Sequence, residues 1–88
     1  MIKINDLSFK AYQNEERGKY IFFDIYYAGM NIGEYRMSGE VKLYQEEGVF
    51  EYEDNIKEEI IMFLNEHLNI EKYNSLSKNN NGYLKYYI

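Results

Sequence analysis

One segment of this 88-residue chain, residues 54–68, has the spacing of an amphipathic helix, and it restricts the folds open to the chain. Its apolar residues recur at intervals of three and four, which places them on one helical face. They are Ile56, Ile60, Phe63 and Leu64, with His67 on the same side. Acids and amides occupy the opposite side, as in a helix that lies on a sheet. We therefore expect one main helix that covers a single face of another layer.

The segments on either side of this helix alternate between apolar and polar residues, which is typical of strands with one buried face. The predicted strands cover residues 2–12, 20–27, 32–37, 40–44 and 83–88. The strand at 20–27 is aromatic on both faces, so we expect it to be central. Short connections favour antiparallel pairing. The sequence thus predicts a single α+β domain, in which an antiparallel sheet of four to six strands carries the helix on one face.

Length and cysteine content set further bounds. A chain of this length forms one domain with a small core. Because the sequence contains no cysteine, disulfides and thiolate metal sites are excluded, and a cytoplasmic location is favoured. Its apolar runs are far shorter than the roughly 20 residues of a membrane span, so we expect no association with membranes.

No residue pattern in the chain is typical of a catalytic or metal site. His67 is the single histidine, and its position on the apolar side of the helix favours a buried imidazole bonded to a backbone group. The serines carry no nucleophile motif, and the acids lack the spacing of metal ligands. We therefore expect no enzymatic activity, no cofactor and no metal.

Negative charge is concentrated in one segment, residues 46–59. It holds seven acids and one base, a balance of −6, whereas the rest of the chain has eight acids and nine bases, a balance of +1. The acids are Glu46, Glu47, Glu51, Glu53, Asp54, Glu58 and Glu59. One interpretation is a solvated surface. The other is mimicry of nucleic acid, because alternate residues of a strand lie about 6.6 to 6.8 Å apart, similar to successive phosphates.

Aromatic residues form the second candidate surface. If the strand assignments hold, five of them share the sheet face opposite the helix: Tyr12, Tyr20, Phe22, Tyr26 and Tyr44. An aromatic sheet face can stack nucleic-acid bases. That function needs a positive field, which a chain of net charge −5 lacks, so we expect no direct binding of nucleic acid. A protein interface and simple strand propensity are the remaining interpretations.

In small size, acidity, tyrosine content and lack of a catalytic motif, the chain resembles the accessory and counter-defence proteins of phages and mobile elements, among them anti-CRISPR and anti-restriction proteins. This resemblance is one of type and covers no particular residues. It implies a non-enzymatic inhibitor in the host cytoplasm, which binds a protein partner with a basic surface. The alternative is a structural protein that forms a homodimer through its tyrosine-rich sheet face.

Overall fold

The computed structural model describes residues 1–12, 15–45 and 48–86, and it shows a five-stranded antiparallel sheet with two helices packed on one face. In chain order the elements are β1 (Leu7–Ala11), β2 (Glu15–Glu16), β3 (Lys19–Tyr20), β4 (Phe22–Tyr27), β5 (Met30–Arg36), β6 (Glu40–Leu43), α1 (Ile56–Asn65), α2 (Ile70–Ser77) and β7 (Tyr83–Lys85). The strand order of the main sheet is β6-β5-β4-β1-β7, and β2 and β3 form a separate small hairpin. The predicted α+β class is confirmed.

Strand β4 lies at the centre of the main sheet, as its two aromatic faces predict. On the helix side, Phe23 and Ile25 are fully buried, and Ile25 lies opposite Phe9 of β1. Phe22, Asp24 and Tyr26 alternate with these core residues and therefore face the other way. The two faces of β4 thus separate the hydrophobic core from an open sheet surface.

The strand predicted at residues 20–27 is interrupted at Ile21, and this changes the position of Tyr20. Tyr20 belongs to the small hairpin, and its backbone N–H donates a hydrogen bond to the carbonyl oxygen of Leu68 over 2.9 Å. Its ring lies 5.0 Å from the ring of Tyr73 in α2. Tyr20 therefore packs on the helix side of the sheet, and the prediction that it shares the opposite face is wrong.

Helix α1 packs on the sheet through the predicted face. Ile56, Ile60 and Leu64 are buried against the strands. The helix is shorter than the predicted 54–68 because Asn55 adopts a left-handed conformation with φ of 69°, which an α-helix cannot include. At the other end, the N–H of His67 bonds to the oxygen of Leu64, three residues back, so the helix closes in a tight turn.

A second helix, α2, follows α1 and contributes to the same core. Asn69, the residue that follows the predicted helix 54–68, is the N-cap of α2. Its side-chain oxygen accepts a hydrogen bond from the N–H of Lys72 over 3.1 Å, which satisfies one of the unpaired donors of the first turn. The helix then buries Tyr73 in the core.

Tyr73 connects α2 to the sheet at the point where β7 begins. Its hydroxyl accepts a hydrogen bond from the N–H of Ala11 over 2.9 Å and donates one to the carbonyl oxygen of Gly82. Strand β7 pairs with β1 only from Tyr83, which lies opposite Lys10. The phenol therefore takes the place of the missing strand residue beside Ala11.

Candidate binding surfaces

The acids of the charged segment that the structure describes lie between residues 51 and 59, and they are here called the acidic strip. Its members are Glu51, Glu53, Asp54, Glu58 and Glu59; Glu46 and Glu47, predicted to belong with them, lie outside the described residues. Glu51, Asp54 and Glu58 are exposed, and Glu53 and Glu59 are half-buried. The strip begins in an extended segment and ends in the first turn of α1.

Backbone hydrogen bonds fix the first part of this strip. Ile2 donates to the carbonyl oxygen of Glu51 over 2.7 Å, and Glu53 donates to that of Ile2 over 2.9 Å. Between them, the hydroxyl of Tyr52 donates to the oxygen of Tyr44 over 2.7 Å. Glu51 and Glu53 extend from the opposite side of this extended backbone, so both carboxylates are held on one side of it.

Within residues 1–12, 15–45 and 48–86, the one ion pair within 4.0 Å joins Arg36 to Glu34 at 3.6 Å. No cation of this described part therefore neutralises a carboxylate of the acidic strip at that distance. Glu58 and Glu59 lie near the positive end of the α1 dipole, which partly compensates their charge. The side chains of Glu51 and Asp54, which lie before the helix, are exposed to solvent.

The second surface is the sheet face opposite the helices, here called the outer face. The structure places Tyr12, Phe22 and Tyr26 on it, alternating with buried residues of β1 and β4. The rings of Tyr12 and Phe22 are 5.2 Å apart, and the guanidinium of Arg36 lies 5.2 Å from the Phe22 ring. Tyr44, which is 41% exposed, follows the inward Leu43 of β6.

A row of charged residues crosses the middle of the outer face. Lys42, Glu34, Asp24 and Lys10 are successive cross-strand neighbours from β6 to β1. Burial raises the pKa of Asp24, and the negative charge of Glu34 adds to this effect, whereas a hydrogen bond from Asn31 opposes it. This charged row lies between the Tyr12–Phe22 pair and Tyr26. The outer face is therefore not a continuous apolar patch.

The outer face differs in charge from the rest of the chain. Its basic residues are Lys10, Arg36, Lys42 and Lys85, and its acidic residues are Asp24, Glu34 and Glu40. This balance of +1 leaves six bases and twelve acids, a balance of −6, for all other positions. A chain whose net charge is −5 therefore has one face that is close to neutral.

His67 lies apart from both surfaces. It is 4% exposed, and its Nδ1 lies 2.7 Å from the carbonyl oxygen of Phe63. The prediction of a buried histidine bonded to a backbone group is thus confirmed. Across the described ranges, no three side chains of His, Asp or Glu are grouped so that they could hold a metal ion. Nor does any helix in those ranges have the length and apolar character needed to cross a membrane.

A cleft at one end of the outer face went unpredicted. It is open to solvent and has a volume of about 440 Å³ between the turn that joins β4 to β5 and the loop before β7. Ser8, Tyr26, Tyr83, Lys85 and the three asparagines at 79–81 line it. The sequence shows the alternation of Tyr83 and Lys85, but it does not indicate that the last strand pairs with the first.

Comparison with known proteins gives no relative from which a function could be transferred. No family model, no curated protein and no solved structure matches the chain.

Proposed function

We propose that this protein is a non-enzymatic binding module that inhibits a nucleic-acid-binding protein by placing its acidic strip on the partner's basic surface. One observation carries the proposal: the strip presents carboxylates that no cation in the described part of the chain approaches within 4.0 Å. A partner's lysines and arginines would supply the missing charge. The strip would then act mainly by raising the rate of association, because its charges attract the basic partner before contact.

The arrangement of the strip supports a nucleic-acid-like surface. In the extended segment, Glu51 and Glu53 are two residues apart, which corresponds to about 6.6 to 6.8 Å along a strand. Asp54 and Glu58 continue the series of exposed charges into α1. The bonds of Ile2 hold the extended part in place, so little conformational entropy is lost when a partner binds.

Stability does not account for this concentration of charge. Exposed ion pairs contribute at most about 1 kcal/mol, and these carboxylates lack even such a pair within the described residues. Their mutual repulsion instead opposes folding. Solubility requires only a modest net charge spread over the surface. Binding gives a physical reason for the charges to lie together.

A charge-matched pair of variants tests this proposal. In one variant, Glu51, Glu53 and Glu58 become glutamine; in the control, Glu15, Glu16 and Glu71, which are exposed acids outside the strip, become glutamine. Both variants lose three negative charges. The partner is first captured on the immobilised parent protein at low salt, and its association rate is then measured against ionic strength.

We expect the strip variant to associate about tenfold more slowly than the parent, with a much weaker salt dependence, because steering charges act mainly on the association rate. The control should remain within about twofold of the parent, as expected for distant charges screened by salt. Duplex DNA should compete with the parent for the captured partner. Equal rates and salt slopes for the two variants would show that the strip is only a solvated surface.

A further inference from the structure

The cleft between the β4–β5 turn and the loop before β7 has a composition unlike that of the rest of the chain. Two tyrosines, three asparagines, a serine and a lysine line it, and none of these described lining residues is an acid. The whole chain has 15 acids. At about 440 Å³, the cleft falls within the range of about 300 to 1,000 Å³ that is typical of small-ligand sites.

Tyr26 and Tyr83 place two aromatic rings edge to face in the cleft, so a planar base can stack on one of them at a time. Their ring centroids are 5.2 Å apart, and their planes meet at 80°. Both side chains are half-buried, so the rings are held in position while part of each remains accessible. Positioned tyrosine rings of this kind are used to stack planar bases in single-stranded nucleic acids.

Two lysines lie near Tyr83 in the register of the sheet: Lys10 is opposite it on β1, and Lys85 is two residues further along β7. Lys85 lines the cleft, and the Nζ of Lys10 is 5.1 Å from the centroid of the Tyr83 ring. An anionic group at the β7 side of the cleft would lie near Lys85, with Lys10 on the neighbouring strand. Asp24 lies on the neighbouring strand opposite Lys10, so phosphate is favoured at the β7 side of the cleft and opposed at the β4 side.

The loop before β7 adds both hydrogen-bond donors and hydrogen-bond acceptors to the cleft. Each asparagine at 79–81 carries two N–H donors and a carbonyl acceptor, and Ser8 and the tyrosine hydroxyls add further ones. An inorganic anion needs donors alone. The mixture of donors and acceptors instead suits the edge of a nucleobase, which presents both.

We propose that this cleft binds a nucleoside phosphate unit, either as a free nucleotide or within a single strand, with the base stacked on the ring of Tyr83 next to Tyr26 and the phosphate beside Lys85. The charge of the whole chain argued against such a ligand, but the outer face has a balance of +1 and the cleft lining carries only a positive charge. The site shares no residue with the acidic strip. The proposal for the cleft therefore does not rest on the proposed inhibitory function.

Two probes distinguish the sources of this unit: adenosine 5′-monophosphate and the oligoribonucleotide rA8. Each is titrated into the ¹⁵N-labelled full chain, and amide shifts are followed by NMR. We expect shifts at Ser8, Gly29, Lys85 and residues 79–81 with both probes. Tighter binding of rA8 would identify a strand as the ligand, and equal or weaker binding of rA8 would identify the free nucleotide.

Variants on the same face provide matched controls. Tyr83→Leu should weaken binding about tenfold, as expected for one lost stacking contact. Lys85→Gln, a change at an exposed position that leaves the core intact, should weaken binding severalfold and lower the salt slope by about 0.7. Tyr44→Leu and Lys42→Gln, near the opposite edge of the sheet, should stay within about twofold of the parent, because they lie outside the cleft.

Three results would overturn the proposal. The first is no shift with either probe up to about 5 mM, which corresponds to negligible affinity. The second is an equal response to adenosine monophosphate, ribose 5-phosphate and inorganic phosphate, which would show that the base makes no contact. The third is equal loss of binding in Lys85→Gln and Lys42→Gln, which would show a general effect of charge rather than a site.

Discussion

Removing one hydroxyl group, in Tyr73→Phe, tests how α2 is joined to the sheet. That hydroxyl bonds to both the N–H of Ala11 and the carbonyl oxygen of Gly82. The side chain is 4% exposed, and its ring contacts that of Phe23 at a centroid distance of 5.5 Å. Phenylalanine keeps this ring packing, so the variant removes only the hydrogen bonds of the hydroxyl, among them one with the Ser77 side chain.

The expected loss of stability follows from the backbone groups that lose the hydroxyl as their hydrogen-bond partner. A buried polar group that loses its partner costs about 1 to 3 kcal/mol, and here a donor and an acceptor are affected together. With partial access of water at the start of β7, we expect Tyr73→Phe to lower the free energy of unfolding by about 2 to 4 kcal/mol. Small domains are stable by only about 5 to 15 kcal/mol, so the effect is a large fraction of the total.

Urea unfolding followed by circular dichroism measures this difference, with Tyr52→Phe as the matched control. The hydroxyl of Tyr52 also donates to a backbone oxygen, that of Tyr44 at 2.7 Å, but this bond is exposed. Its loss should cost less than about 1 kcal/mol, because water replaces the partner. If the two variants unfold at the same urea concentration with equal slopes, Tyr73 does not bridge the strands as described.

Two further changes test the core and the outer face. Leu64→Ala should lower the free energy of unfolding by about 2 to 5 kcal/mol, because Leu64 is fully buried. Met62→Ala, at a position of the same helix that is 72% exposed, is the control and should change it by less than about 0.5 kcal/mol in the same urea assay. The raised pKa of Asp24 means that the folded state disfavours its charged form, so stability is lost as pH rises through the folded pKa. Asp24→Asn should therefore raise the midpoint of urea unfolding at neutral pH but not below the unfolded pKa of 3.8, and a gain of equal size at both pH values would contradict this assignment.

The parts of the fold that the sequence predicts correctly are those with a clear period. Ile56, Ile60 and Leu64 repeat every four residues because one side of α1 meets the sheet and the other meets water. Phe23 and Ile25 alternate with Phe22 and Asp24 for the corresponding reason in β4. Periodicity records which side of an element is buried, so it predicts the layers.

Contacts between segments that are distant in the chain produce no such periodicity in the sequence. Tyr20 continues the alternation of β4 in the sequence, yet its N–H bonds to Leu68 and its ring packs on Tyr73. Asn69 can end one helix or begin another, and the choice depends on how Tyr73 reaches the core. The position of Tyr83 beside Lys10 requires that the last strand pair with the first, which no local pattern indicates.

Net charge is a poor guide to either proposed surface, because salt limits the range of each charge. At physiological ionic strength the screening length is about 8 Å, whereas even the shortest dimension of the molecule is 18 Å. Separated groups of charges on such a molecule act locally, so a balance of −6 elsewhere does not exclude an anion from a cleft lined by Lys85. At about 0.01 M salt the screening length grows to about 30 Å, and the acidic strip then opposes binding at the cleft. The two surfaces are therefore independent only when salt screens them, and each must be measured near physiological ionic strength.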